Sequence, residues 1–204
     1  DQELVDRFLP PCSVPHQLRT EHPTTIGGLT WPRETQHHRW EIQQAMERVP
    51  QVLAEAIDEF ATIFGRRPHG AISTEYVDDA ETVLIACNTI ARTLRQVVQE
   101  RRGRGERVGM IQLKMFRPFP RAELRAATAS ARRIGVLDRN HSPGSGGIFW
   151  QEVAATLGAD HALIQDYVVG LGGGDVTPAM LNAIIDDLNS RSQAGEPIWK
   201  VVAA

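Results

Sequence analysis

Apolar positions are scattered over residues 1–32, DQELVDRFLPPCSVPHQLRTEHPTTIGGLTWP, which hold five prolines and no sustained period. Such a stretch reads as an extended linker or arm, over residues 1–33, rather than a domain start. From Glu34 the apolar spacing turns helical. Trp40, Met46, Val49, Val52, Ile57, Phe60 and Phe64 predict a connecting helical segment over 34–66, as one long helix or two joined near Pro50. Gly65 is its expected stop. After RRPHG, the run AISTEY predicts an edge strand.

A regular alternation then follows. TVLIAC (82–87) predicts a buried strand, with Asn88 or Thr89 capping the helix IARTLRQVVQERR. RVGMIQLKMF is the next strand, followed by a turn at RPFP and the helix RAELRAATASA. RIGVLDR leads through a glycine loop into the helix GIFWQEVAATLG. HALIQDYVVG leads through LGGGDV into a helix over 177–189, with Thr177 as cap and Pro178 as first helical residue. The tail PIWKVVAA adds a last short strand or an irregular end. Strands alternating with helices of about 10–15 residues pair in parallel and carry helices on both faces. The expected fold over 67–204 is therefore α/β, a doubly wound and mainly parallel sheet.

Composition narrows the function classes. A chain of 204 residues suits one sizeable α/β domain with an appendage. Its net charge of -3 gives no general attraction to nucleic acid or anionic membrane. Apolar runs are too short to span a bilayer, and no basic-then-apolar leader opens the chain. Cys12 and Cys87 are the only cysteines and form no C-x-x-C pair, so the chain cannot supply an iron–sulfur cluster by itself. Two lone thiols fit a reducing compartment, and a cytoplasmic location is expected. Asp1 in place of Met, ahead of the proline-rich opening, suggests a piece of something longer.

Candidate chemistry concentrates in the loops after strands. VLDRNHSPGSGGIFW (136–150) has the strand, glycine loop, helix order that often holds a phosphate. Yet Gly144, Gly146 and Gly147 give G-x-G-G, with Phe149 where the last fingerprint glycine should fall and no Gly-Lys-Ser/Thr ending. The spacing favours a connection that needs its glycines for backbone geometry. Asp138, His141 and Ser142 have the residue types of a hydrolytic triad, but residues so close in sequence rarely reach its geometry. A solvated loop is the expectation there. GLGGGDVTP is a second glycine connection, read as a flexible turn with Asp175 beside a helix N-terminus. The basic run RRGRGER (101–107) lacks interleaved aromatics and reads as a solvated helix end. His37 and His38 are adjacent and cannot face one metal from a helix. Trp31, Trp40 and Trp150 suit packing or subunit contact. Phe116 and Phe119, flanking the proline turn, either meet a neighbouring domain or subunit or cover this domain's own core.

Seven stretches in order, FLPP, PTTIGGLTWP, RWEIQQAMERV, EYVDDAETVLIA, GMIQLKMFRPFP, GVLDRNHSPGSGG and GLGGGDVTP, resemble one family. They are similar to the C-terminal half of the alpha subunit of 2-oxoacid:acceptor oxidoreductases, of which pyruvate:ferredoxin oxidoreductase is best known. The resemblance covers almost the whole chain, with a departure at CNTIA (87–91), where relatives tend to carry a small Gly-Ser turn. It implies a transketolase C-terminal-like domain in an enzyme that decarboxylates a 2-oxoacid on thiamine diphosphate. Electrons then pass to [4Fe–4S] clusters, and the acyl group usually passes to coenzyme A. The substrate would be pyruvate by default, or another 2-oxoacid such as phenylglyoxylate.

Thiamine diphosphate, Mg and cluster ligands would lie in other domains or subunits, so this chain would bind no cofactor or metal and hold no catalytic residue. Its part would be structural. Trp31, Phe116, Phe119, Asn140, His141, Gly144, Gly146 and Gly147 are the expected subunit-contact residues. The competing readings are a stand-alone α/β binding module for an anionic ligand or protein partner, and a self-contained hydrolase.

Overall fold

The computed structural model describes residues 1–14, 16–25, 27–158 and 163–200. They form two compact units, Asp1–Gly70 and Ala71–Ala204.

In the first unit, α1 (Gln2–Phe8) begins at Asp1, whose carboxylate accepts from the Glu3 N–H, and α2 runs unbroken over Pro32–Phe64. The expected arm over 1–33 is thus not wholly extended. A helix of 7 residues is marginal alone and holds only by docking. Phe8 sets its ring edge-on against Phe60 and Phe64, at centroid distances of 5.3 and 5.9 Å. Pro50 lies inside α2 without dividing it, which selects the single helix of the two alternatives. The helix starts at Pro32, where Glu34 accepts the Trp31 N–H at 2.9 Å. It stops at Gly65, which takes a left-handed φ of 66°.

The second unit is a six-stranded sheet. Its elements are β1 (Ile72–Glu75), β2 (Thr82–Cys87), α3 (Asn88–Gly103), β3 (Val108–Leu113), α4 (Arg121–Ala127), β4 (Arg133–Asp138), α5 (Ile148–Leu157), β5 (Leu163–Val169), α6 (Pro178–Ser190) and β6 (Ile198–Lys200). The strand order is β1-β3-β2-β4-β5-β6, parallel throughout except for β1, which runs antiparallel to β3 at the edge. Every expected strand is present. The first two residues expected in β5, and the VVAA end of the tail, lie outside the described residues.

Period-two alternation divides the sheet into two faces. Leu84, Ala86, Met110, Leu137, Tyr167 and Val169 point to one face, where α3 and α6 bring Ile90, Leu94, Val97, Leu181, Ile184 and Leu188. Val83, Ile85, Ile111, Leu113, Ile134 and Val136 point to the other, covered by Leu124 of α4 and Val153 of α5. This is the doubly wound α/β arrangement that the alternation predicts. The chain leaves β2 for β3 on one side and returns to β4 on the other, so the ends of β2 and β4 flank the switch point where such folds place function.

Two local expectations fail, the second in part. Asn88 and Thr89 are not caps: Cys87 holds the N-cap position of α3 with no side-chain bond, and Asn88 is helical residue one at φ 47°. Thr89 instead accepts from Arg139 at 3.3 Å. The basic run is a solvated helix end only in part: Arg104 and Arg107 are exposed, but Arg101 and Arg102 turn inward. Arg101 is buried, and Arg102 donates to the carbonyls of Val108 and Tyr76, both at 2.6 Å. Arg102 thereby ties the end of α3 to the start of β3 and to the loop after β1, while Arg101 donates to the Asn182 carbonyl of α6 at 3.0 Å.

Candidate functional site

The distinctive polar constellation lies under the glycine loop, where β4 and β5 end beside the start of α5. In the register, Val136 pairs with Asp166 and Asp138 with Val168. Asp138 and Asp166 therefore share the sheet face that α5 covers. Both are buried, at 0% and 1% exposure.

Their carboxylates explain how α5 begins. A helix start leaves four N–H groups without intrahelical partners. Here all four meet side-chain acceptors. Gly147 N–H donates to Asp166 Oδ2 at 2.7 Å and Ile148 N–H to Asn140 Oδ1 at 2.9 Å. Phe149 N–H donates to Asp138 Oδ1 at 3.0 Å and Trp150 N–H to Asp138 Oδ2 at 2.8 Å. The donors that a phosphate would use are already taken, so the loop is a connection and not a nucleotide cradle.

The glycines serve that connection. Ser142 and Gly146 close a small antiparallel bridge, with Ser142 N–H donating to Gly146 O at 2.9 Å and Gly146 N–H returning to Ser142 O at 3.1 Å. Gly144 and Gly146 take φ of 80° and 100°, which L side chains resist. Gly147 has another reason: a Cβ there would lie 2.1 Å from Asp138 Oδ2 and 2.7 Å from Asp166 Oδ1. Any side chain at Gly147 would displace the carboxylates that cap the helix.

Burial pushes the Asp138 carboxyl up to about 6, against the pull of the Trp150 and Phe149 N–H groups, and the charge of Asp166 adds to the rise. Burial also raises Asp166, opposed by the Gly147 N–H and by His141. The expectation of a solvated loop for Asp138 is therefore corrected, because its oxygens are needed inside as helix acceptors. The same bonds dissolve the triad, since both Asp138 oxygens serve backbone donors while the His141 ring lies 4.5 Å from that of Trp199.

The expected contact residues divide between internal and exposed roles. Asn140, Gly146 and Gly147 build the loop itself. His141 and Gly144 line a cavity of about 540 Å³ with Ser145, Trp150, Glu196 and Trp199. Phe116 and Phe119 meet edge-on at 6.3 Å, and Phe116 also meets Phe149 at 5.1 Å. Phe119 packs on the core under α4 and α5, yet both phenylalanines stay half-exposed. Trp31, 67% exposed, belongs to the first unit. A smaller hollow of about 180 Å³ lies at the switch point, among Thr89, Thr93, Arg139 and Asp175. Arg139, though exposed, donates there to the carbonyls of Gly170 at 2.8 Å and Gly174 at 3.2 Å. GLGGGDVTP thus presents carbonyls to an arginine, not donors to a phosphate. Asp166 was missed by sequence reasoning; its signal was an acid inside the apolar run LIQDYVV.

Among the described residues, no group of three or more His, Cys, Asp or Glu side chains could hold a metal ion. The donor set does not fit a magnesium site or an iron–sulfur cluster.

Residues 80–181 match the family model of pyruvate:ferredoxin oxidoreductase core domain II. Pyruvate synthase subunit PorA of Methanothermobacter thermautotrophicus is 36% identical over 184 residues, which cover 90% of this chain and 47% of PorA. Ketoisovalerate oxidoreductase subunit VorA of Pyrococcus furiosus is 37% identical over 204 residues, covering 98% of this chain and 52% of VorA. A solved 2-oxoglutarate:ferredoxin oxidoreductase from Magnetococcus marinus superposes on 72% of this chain and 23% of its own, with 17% identity and a TM-score of 0.45. The chain spans about half the length of the curated relatives it matches. With that match extending from Ala80 at the foot of β2 to Leu181 in α6, the chain belongs to the pyruvate:ferredoxin oxidoreductase core domain II family.

Proposed function

We propose that the chain is the structural and assembly domain of the alpha subunit of a thiamine diphosphate-dependent 2-oxoacid:acceptor oxidoreductase. The observation that carries this reading is its 36% and 37% identity with PorA and VorA over 90% and 98% of its length. The reaction would be oxidative decarboxylation of a 2-oxoacid, usually to an acyl-coenzyme A, with electrons leaving through [4Fe–4S] clusters. Relatives named for pyruvate and for ketoisovalerate are equally similar, so both precede an aryl 2-oxoacid such as phenylglyoxylate as substrate. Among the described residues the donor set fits neither magnesium nor a cluster; those groups would sit on partner domains and subunits, and no chemical step is assigned to this chain's residues. No described helix is long and apolar enough to cross a membrane, which accords with a cytoplasmic enzyme.

Its own task would be to present contact edges. Trp31 in one unit and Phe116, Phe119, His141 and Gly144 in the other leave partly exposed surface for that purpose. Asn140, Gly146 and Gly147 would act indirectly, by fixing the loop that carries His141 and Gly144. Native mass spectrometry of the intact complex, purified from the full-length gene product, tests the assignment. Co-purification with thiamine- and cluster-bearing partners, and 2-oxoacid-dependent reduction of ferredoxin, are expected. A lone polypeptide without such activity would overturn it.

Within the assembly, Phe119→Ser should reduce the yield of complex more than it reduces the melting temperature of the chain. Equal losses would restrict Phe119 to covering its own core. The stand-alone anion-binding reading loses its main support, because the N–H groups at the start of α5 are already engaged.

A further inference from the structure

The carboxylates beneath the glycine loop have one more oxygen than the donors around them serve. Asp138 uses both oxygens on Phe149 and Trp150 N–H, and Asp166 uses Oδ2 on Gly147 N–H. Asp166 Oδ1 is buried and has no partner. A buried acceptor left unserved is costly, and a buried anion more so. Asp166 Oδ1 and Asp138 Oδ2 also converge, lying 2.7 and 2.1 Å from the point where a Gly147 Cβ would stand. Two ionised carboxylates in that position repel, whereas one proton between them turns repulsion into a charge-assisted hydrogen bond.

We propose that Asp138 and Asp166 share one proton, carried on Asp166 Oδ1 and donated to Asp138 Oδ2, and that it clamps the glycine loop and the first turn of α5 onto the ends of β4 and β5. The proton is taken from solvent and returned to it as pH rises, and its loss loosens the loop that carries His141 and Gly144. No other donor competes for Asp166 Oδ1 among the described residues.

The remaining polar groups near the pair are few. His141 on the loop favours the charged form of Asp166. Just beyond β4, the Asn140 amide favours the charged form of Asp138. From β2, the Cys87 thiol is itself pushed up by burial and by Asp138, and Arg139 opposes that rise. On α5, Glu152 faces away, paired with Arg117 at 2.6 Å. Both aspartates hold their protons more strongly folded than unfolded. Their stabilising effect is therefore fully present below the ordinary carboxyl range and is lost as pH rises through about 6.

Melting of the full chain at pH 5 and pH 8, wild type against Asp166→Asn, tests the shared proton. The amide keeps a carbonyl oxygen for Gly147 N–H and places a permanent donor where the proton sits. The wild type should lose about 5 °C more than the variant between the two pH values, and the variant should melt higher at pH 8. Amide exchange of the wild type gives an independent reading if the variant fails to fold. Once intrinsic base catalysis is removed, Gly147 and Ile148 should exchange about tenfold faster at pH 8 than at pH 5. A variant less stable than wild type at pH 8, or exchange protection independent of pH, overturns the proposal. So does stabilisation of the wild type alone by added magnesium or calcium at pH 8, which would put a cation where the proton is proposed.

Discussion

Gly146 and Gly147 are neighbours that resist a side chain for different reasons. Gly146 sits at φ 100°, so Gly146→Ala should cost about 1 kcal/mol or more through the backbone, with its new Cβ 3.1 Å from Asp166 Oδ2. Gly147 has φ -65°, which alanine adopts freely, but its Cβ would meet Asp138 Oδ2 at 2.1 Å. Gly147→Ala should therefore cost more, about 2–4 kcal/mol, because it dislodges the acceptor of two helix N–H groups. Urea unfolding of both variants checks the order. In the assembled enzyme, activity should fall with folding or assembly, without a selective rise in the coenzyme A requirement. At this scale the sequence showed that glycines were needed. It did not show which one answers to φ and which to a carboxylate contributed by another strand.

Helix ends decide the next scale. Arg101, at the end of α3, is 6% exposed and reaches across to α6. It donates to Asn182 Oδ1 at 2.7 Å, to Asp186 at 2.6 Å and to Glu106 at 2.9 Å. Arg101→Leu removes the tie between the helices while leaving Asp186 and Glu106 partly in water. The expected loss is about 1–3 kcal/mol, measured by chemical denaturation. The strands were legible because TVLIAC and its successors are short apolar runs bounded by turn residues. Thr177 was legible as a cap because cap chemistry is local, and its hydroxyl accepts the Met180 N–H at 3.2 Å. The start of α5 was not legible. Its caps come from Asp138, Asn140 and Asp166, and the last of these lies beyond the helix in sequence.

For the molecule as a whole, the residue inventory bounds the chemistry. The two cysteines fall in different units, and no three-ligand group occurs among the described residues. Calorimetry and iron analysis of this chain alone should accordingly give neither saturable thiamine diphosphate binding nor stoichiometric iron. Stoichiometric iron, or a saturating thiamine diphosphate isotherm, would place the chemistry on this chain and sink its assignment as an assembly domain.

The sequence by itself determined the fold class, the strand and helix order from α2 onward, the stop at Gly65 and the family resemblance. Each of these depends on periodicity, turn residues or motif order along the chain. Tertiary structure alone decided that α2 continues through Pro50 and that Phe8 docks α1 on Phe60 and Phe64. It also decided that Arg101 and Arg102 are anchors and that Asp138 is buried. The physical reason is common to the last three. Burial and the pairing of polar groups depend on which distant segments arrive beside a residue, and β-strand register, not local spacing, brings Asp166 next to Asp138.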